Sequence, residues 1–116
     1  APDYHWDVHR DLIRDQSTMQ VIIDNGTVML PDIGLRIRQY TEENYTLRDD
    51  DLSTVRGETR GEMEWQRDDW HIETRTRTVL TSDEQYFYVH ATLDAFEGDE
   101  RIFSKNWETK IRRQLV

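Results

Sequence analysis

The sequence predicts an all-β chain, a single antiparallel meander making one strongly bent sheet or half-barrel. Three observations predict it. Apolar and polar residues alternate with period two along most of the chain. Clusters of turn-forming residues interrupt that alternation at spacings of roughly ten residues. No segment carries the 3.6-residue apolar stripe of a helix. The chain has 116 residues, enough for one domain spanning residues 1–116. Its apolar content is 35% and its charged content 34%, a balance that by itself leans toward disorder. The regular spacing of the apolar residues argues against that. So does the supply of four Trp, five Tyr and three Phe, each of which buries a large area.

Taken in order, Tyr4, Trp6 and Val8 alternate with His5, Asp7 and His9 in an opening strand. Residues 10–17 read as a polar turn around Leu12 and Ile13. The only helix candidate, residues 7–16, has neither a sustained stripe nor a cap. Met19, Val21 and Ile23 alternate next. Asp24-Asn25-Gly26-Thr27 then reads as a type I′ hairpin turn, with Val28 and Leu30 on the return arm and Pro31 ending it. A further strand is expected from Ile33 to about Leu47, broken by the acidic run Asp49-Asp50-Asp51. Along residues 55–66, Val55, Gly57, Thr59, Gly61, Met63 and Trp65 share one face, and Gly57 and Gly61 suggest bends or bulges. Asp68-Asp69 turns the chain into residues 70–81, where Arg75 and Arg77 are placed to face Glu62 and Glu64. Ser82-Asp83-Glu84 turns it again into the strand bearing Phe87, Val89, Ala91, Leu93 and Ala95. Gly98 then suits a type II′ turn before residues 101–111 close the meander. The expected core is Val21, Ile23, Leu35, Ile37, Met63, Trp65, Ile72, Leu80, Phe87, Val89, Ala91 and Leu93, buried together.

The formal net charge of −9 disfavours nucleic acid and anionic membranes as partners, because phosphates are repelled. No apolar run approaches the roughly 20 residues that span a bilayer. With no cysteine, disulfides and thiolate metal sites are excluded. No catalytic residue, metal ligand or cofactor site is expected. Ser17, Ser53, Ser82 and Ser104 all lack the Gly-x-Ser-x-Gly elbow that exposes a hydrolase nucleophile. His5 and His9 on one strand face would stand about 13 Å apart, too far to share an ion. Three consecutive aspartates lack the alternating ligand spacing of a calcium loop. Asn25-Gly26-Thr27 and Asn44-Tyr45-Thr46 fit the glycosylation acceptor pattern, the first being better read as a turn. His90 beside Tyr86 and Tyr88 is a packed or interface residue before it is a general base.

One feature points to association. If Gly98-Asp99 is a two-residue turn, His90 faces Trp107 and Asp94 faces Phe103. Tyr86, Tyr88, His90, Phe103 and Trp107 then make an apolar patch on the face opposite Phe87 and Val89. Such a patch is covered either by the Tyr4/Trp6 strand or by a partner.

Several segments resemble the C-terminal region of bacterial CocE/NonD-type hydrolases, the serine peptidase S15 group that includes cocaine esterase and Xaa-Pro dipeptidyl-peptidases. They are Pro2-Asp3-Tyr4-His5-Trp6-Asp7-Val8 with Arg10-Asp11-Leu12, then Arg56-Gly57-Glu58, Asp68-Asp69-Trp70 and Leu93-Asp94-Ala95-Phe96-Glu97-Gly98-Asp99. Arg101-Ile102-Phe103-Ser104-Lys105-Asn106-Trp107 and the closing Ile111-Arg112-Arg113-Gln114-Leu115-Val116 complete them. The resemblance implies a tail segment of a larger bacterial, cytoplasmic enzyme whose Ser-Asp-His triad lies upstream, and the start at Ala1-Pro2 without Met fits a piece of a longer chain. The expected function is therefore an accessory, non-catalytic β domain. Its partner is the parent hydrolase domain or a second copy. The alternative is a small-ligand binder in which a barrel-like sheet encloses a pocket.

Overall fold

A computed structural model describes residues 1–114, so the Leu115-Val116 end of the closing motif lies outside the described residues. The described chain is a seven-stranded antiparallel meander with strand order equal to sequence order. The strands are β1 (Asp3–Asp11), β2 (Gln16–Leu30), β3 (Leu35–Arg48), β4 (Asp51–Arg67), β5 (Trp70–Ser82), β6 (Tyr86–Glu97) and β7 (Glu100–Arg112). The described residues contain no helix. The all-β meander read from the alternation is therefore the fold. β1 and β7 are the two edges and do not pair, so the sheet is open.

The sheet measures 52 × 29 × 24 Å. A flat single layer would be about 10 Å thick, so the third dimension reflects strong twist and coiling. The tight turns use left-handed residues. Asp15, Asp49, Asp50 and Asp68 have positive φ, as do Gly34 and Gly98. Aspartate tolerates this conformation because its short side chain bonds locally.

Three register shifts interrupt the pairing among the described residues; one adjoins the β3–β4 turn at Thr46–Arg48, and the other two depart from the sequence reading. Asn25-Gly26 is not a hairpin turn. Residues on both sides of it pair with β3, Asp24 with Tyr40 and Thr27 with Arg38, so β2 runs unbroken to Leu30. Gly26 takes φ 67° within that bulge and its N–H donates to Asp24 Oδ1 at 2.8 Å. The bulge uses the same left-handed freedom that a type I′ turn requires. The turn itself falls at Pro31–Gly34, where the N–H of Gly34 donates to the carbonyl of Pro31 at 3.4 Å. The second bulge is at Ile102. Phe96 pairs with Arg101, but the next pair along is Ala95 with Phe103.

The expected core is not buried. Its members do share one face, as cross-strand rows such as Ile37–Trp65–Ile72 and Gly57–Leu80–Val89 show. Yet no hydrophobic side chain of the described residues is fully buried, and Ile23 is 37% exposed. The reason is architectural: only sequence-adjacent strands touch, and one layer has nothing to close over its apolar side.

Candidate functional site

The register gathers most of the apolar residues of each strand on one side of the sheet, while Ile22, Tyr40, Val79, Tyr86, Tyr88 and Phe96 lie on the other. β1 contributes Tyr4, Trp6 and Val8, opposite Ile23, Val21 and Met19 of β2. Tyr45 of β3 lies across Gly57 of β4, where a Cβ would meet its ring at 3.1 Å. Gly57 therefore makes room for an aromatic ring lying against the backbone. Met63 and Trp65 continue into Thr74 and Ile72, then Ala95 and the end of β6. β7 completes the row with Phe103, Trp107 and Ile111, opposite Ala95, Ala91 and Phe87. The chain exposes 8590 Å² in all. A compact monomer of 14.0 kDa exposes about 6,700 Å². The excess is roughly the total area of a standard protein–protein interface.

Phe103 and Trp107 are therefore not on the face that the sequence reading gave them. His90 pairs with Glu108 and Asp94 with Ser104, because the Ile102 bulge shifts β7 by one residue and a one-residue shift changes the face of every side chain beyond it. Tyr86, Tyr88 and His90 are on the opposite, polar face, and the five residues form no common patch. Nor does the Tyr4/Trp6 strand cover any of them, since β1 and β7 are opposite edges.

On the polar face the three are held by charge. The Lys110 ammonium is 3.8 Å from the centre of the Tyr86 ring and 5.9 Å from that of Tyr88, an aromatic-cation arrangement. The Tyr88 hydroxyl donates to Asp83 Oδ2 at 2.5 Å. That bond, with the N–H groups of Gln85 and Tyr86, holds the Asp83 carboxyl below its usual range, and it raises the Tyr88 phenol. His90 Nδ1 is 3.4 Å from Glu108.

The densest charge cluster centres on Glu58. Arg77 Nε and Arg60 Nε donate to its Oε1 at 2.7 and 2.9 Å, and Arg56 approaches Oε2 at 3.4 Å. These bonds, from Arg77 first and Arg60 second, pull the Glu58 carboxyl down to about 2. Of the two expected cross-strand pairs, Glu62 does face Arg75, but Arg77 faces Arg60 and reaches diagonally to Glu58. Arg75 bonds Glu73 on its own strand at 2.7 Å.

Ser17 Oγ accepts from Arg10 at 2.8 Å, and Ser53 Oγ donates to Asp51 at 2.8 Å. Ser82 Oγ lies 3.3 Å from the Ser53 carbonyl oxygen, and Ser104 sits opposite Asp94 on the edge pair. Among the described residues no group of His, Asp and Glu is arranged to hold a metal ion. The barrel-like pocket of the ligand-binding alternative does not form, because the sheet does not close. No protein-family model, curated protein or solved structure matches the chain.

Proposed function

We propose that this chain is the accessory, non-catalytic β domain of a larger serine hydrolase of the kind its motifs resemble, and that it works by packing its apolar face against the rest of that enzyme. One observation carries the reading: a broad, mostly apolar face on a single open layer, with nothing among the described residues to cover it. The polar face is occupied by its own ion pairs and needs no partner. The apolar face, from Trp6 through Trp65 to Trp107, has the area and the chemistry of half a two-layer core. A tail that supplies one layer of a core would brace the hydrolase domain and take no part in its chemistry.

The test uses the gene that encodes the chain. The protein from its full reading frame and residues 1–116 alone are compared for hydrolysis of a p-nitrophenyl ester and for binding of a dye that fluoresces on exposed apolar surface. The reading expects strong dye binding and no turnover from the isolated chain, and weak dye binding with turnover from the longer protein. Ester turnover by the isolated chain that is lost on substituting one serine would overturn it. So would a reading frame with no hydrolase domain.

A further inference from the structure

The two edges of the sheet are treated differently by the sequence. β7 is blunted in two ways that keep natural sheets from pairing edge to edge: the bulge at Ile102, and a lysine, Lys105, set on the apolar face between Phe103 and Trp107. β1 has neither. Its pairing with β2 is continuous from Asp3 to Asp11, and between Asp3 and His9 no charged side chain is on the apolar face. Tyr4, Trp6 and Val8 are 62%, 74% and 73% exposed. The outer backbone groups of β1 have no neighbouring strand.

The sequence of this edge is self-complementary. Around Trp6, Asp3 and His9 are equidistant on either side, as are Tyr4 and Val8, and His5 and Asp7. In an antiparallel pair about a twofold axis, residues at equal distances from the axis lie directly opposite one another on the same face. We propose that β1 is a homodimerisation edge, where two copies pair antiparallel about a twofold axis at Trp6 and join their sheets into one. On the apolar face Trp6 meets Trp6 of the partner subunit and Tyr4 meets Val8 of the partner subunit. On the polar face each Asp3 meets a histidine at position 9, and each His5 meets an aspartate at position 7. Every charged position of the strand between 3 and 9 thereby gains an opposite partner. In the single chain His5 Nε2 is paired only with Asp3 on its own strand, at 3.1 Å. This pairing leaves the apolar face open, so it does not depend on the docking proposed above.

Each of these pairs sets an imidazole against a carboxylate, a charge-assisted contact when the imidazole carries its second proton. The groups facing these histidines are Asp3, Asp7 and Asp11 on β1 and, from β2, the uncharged Ile22 and Thr18, with Asp24 opposite Asp3. The overall charge of the chain falls toward its isoelectric point of about 4.8, so a pH profile does not identify the edge.

Paired variants do identify it. His5→Asp puts carboxylates opposite one another at both 5–7 positions, and Asp7→His puts two histidines there. A mixture of the two variants restores opposite charge at both. Sedimentation velocity at about pH 5.5 should show dimers of the wild type. Each variant alone should be monomeric at that pH, and the equimolar mixture should dimerise. Because the chain has no cysteine, Trp6→Cys should also oxidise to a covalent dimer while Tyr4→Cys, which faces Val8, should not. All of these side chains are exposed, and unchanged circular dichroism confirms the fold of each variant. A wild type monomeric at that pH would overturn the proposal. So would a single variant that dimerises as well as the wild type, or a mixture that stays monomeric.

Discussion

Leu93→Ala measures whether anything lies over the apolar face. In a closed core this change costs about 2–5 kcal/mol, because lost transfer energy adds to a cavity. In the isolated chain the two contributions separate. Leu93 is flanked by Thr76 and Lys105 across the sheet and is only half-buried. Burying a leucine fully is worth about 1.5–3 kcal/mol, and Leu93 keeps the larger part of that, about 1–2 kcal/mol. No cavity forms where the outer side is already open. The expected loss is therefore about 1–2 kcal/mol, a fall of about 0.5–1 M in the urea midpoint for a chain of this size. The assay is urea unfolding followed by tryptophan fluorescence, at concentrations where the chain is monomeric. In the longer protein, with the face covered, the same substitution should return to the 2–5 kcal/mol range. A loss of about 3 kcal/mol or more in the monomeric isolated chain would refute the reasoning, since it would require a second layer over Leu93 within the chain itself.

The other predictions concern the features that set register and charge. Deleting Ile102 should leave the fold intact, with a stability change within about 1 kcal/mol, because it removes only the bulged residue. If β7 instead paired without a bulge, the deletion would turn Phe103, Trp107 and Ile111 to the other face, and the unfolding transition would broaden or vanish. Gly26→Ala should cost more than Gly98→Ala. Both positions have positive φ, worth roughly 1 kcal/mol of strain, but a Cβ at Gly26 would also sit 2.9 Å from the Ala1 carbonyl carbon, whereas at Gly98 nothing lies within 4 Å. Equal midpoints in urea would show that residues 1–2 do not rest on the bulge. Glu58→Gln should lower stability at neutral pH on the order of 1 kcal/mol, because Arg77, Arg60 and Arg56 are about half exposed and solvent screens the pairs. The Glu58 carboxyl is held below its ordinary value of 4.5. Its contribution is thus full above that value and is lost as pH falls toward 2, where wild type and variant should unfold alike. A difference that persists near pH 2 would assign the effect to packing.

The strands were legible in the sequence because period-two alternation survives even in a chain this charged. Tyr4-Trp6-Val8 and Phe87-Val89-Ala91-Leu93-Ala95 each declare both a strand and its apolar face. Register was less legible. An Asn-Gly step serves a tight turn or a bulge equally well, and what decides is that β3 is long enough to pair with both sides of it. Nothing local to Ile102 marks a bulge. The signal available was the pattern beyond it, since Phe103, Trp107 and Ile111 continue the apolar face only if one residue is left out of the pairing. Burial was not legible at all. Alternation reports which residues share a face and is silent on whether a second layer exists, so the twelve residues expected as a core lie on an open face, eleven of them half-buried and Ile23 exposed. The self-complementary order of residues 3–9 was present in the sequence, but it acquires meaning only once β1 is known to be an unpaired edge.

Residue-resolved oxidative footprinting read by mass spectrometry is the decisive test of the open apolar face. In the isolated chain, at neutral pH and low concentration, Met63 and Trp65 should oxidise readily, as should Trp107. In the protein from the full reading frame all three should be strongly protected, while Tyr86 and Tyr88 on the polar face should change little between the two. Protection of Met63 and Trp65 in the isolated monomer equal to that in the longer protein would contradict the account, because the chain would then be covering its apolar face by itself.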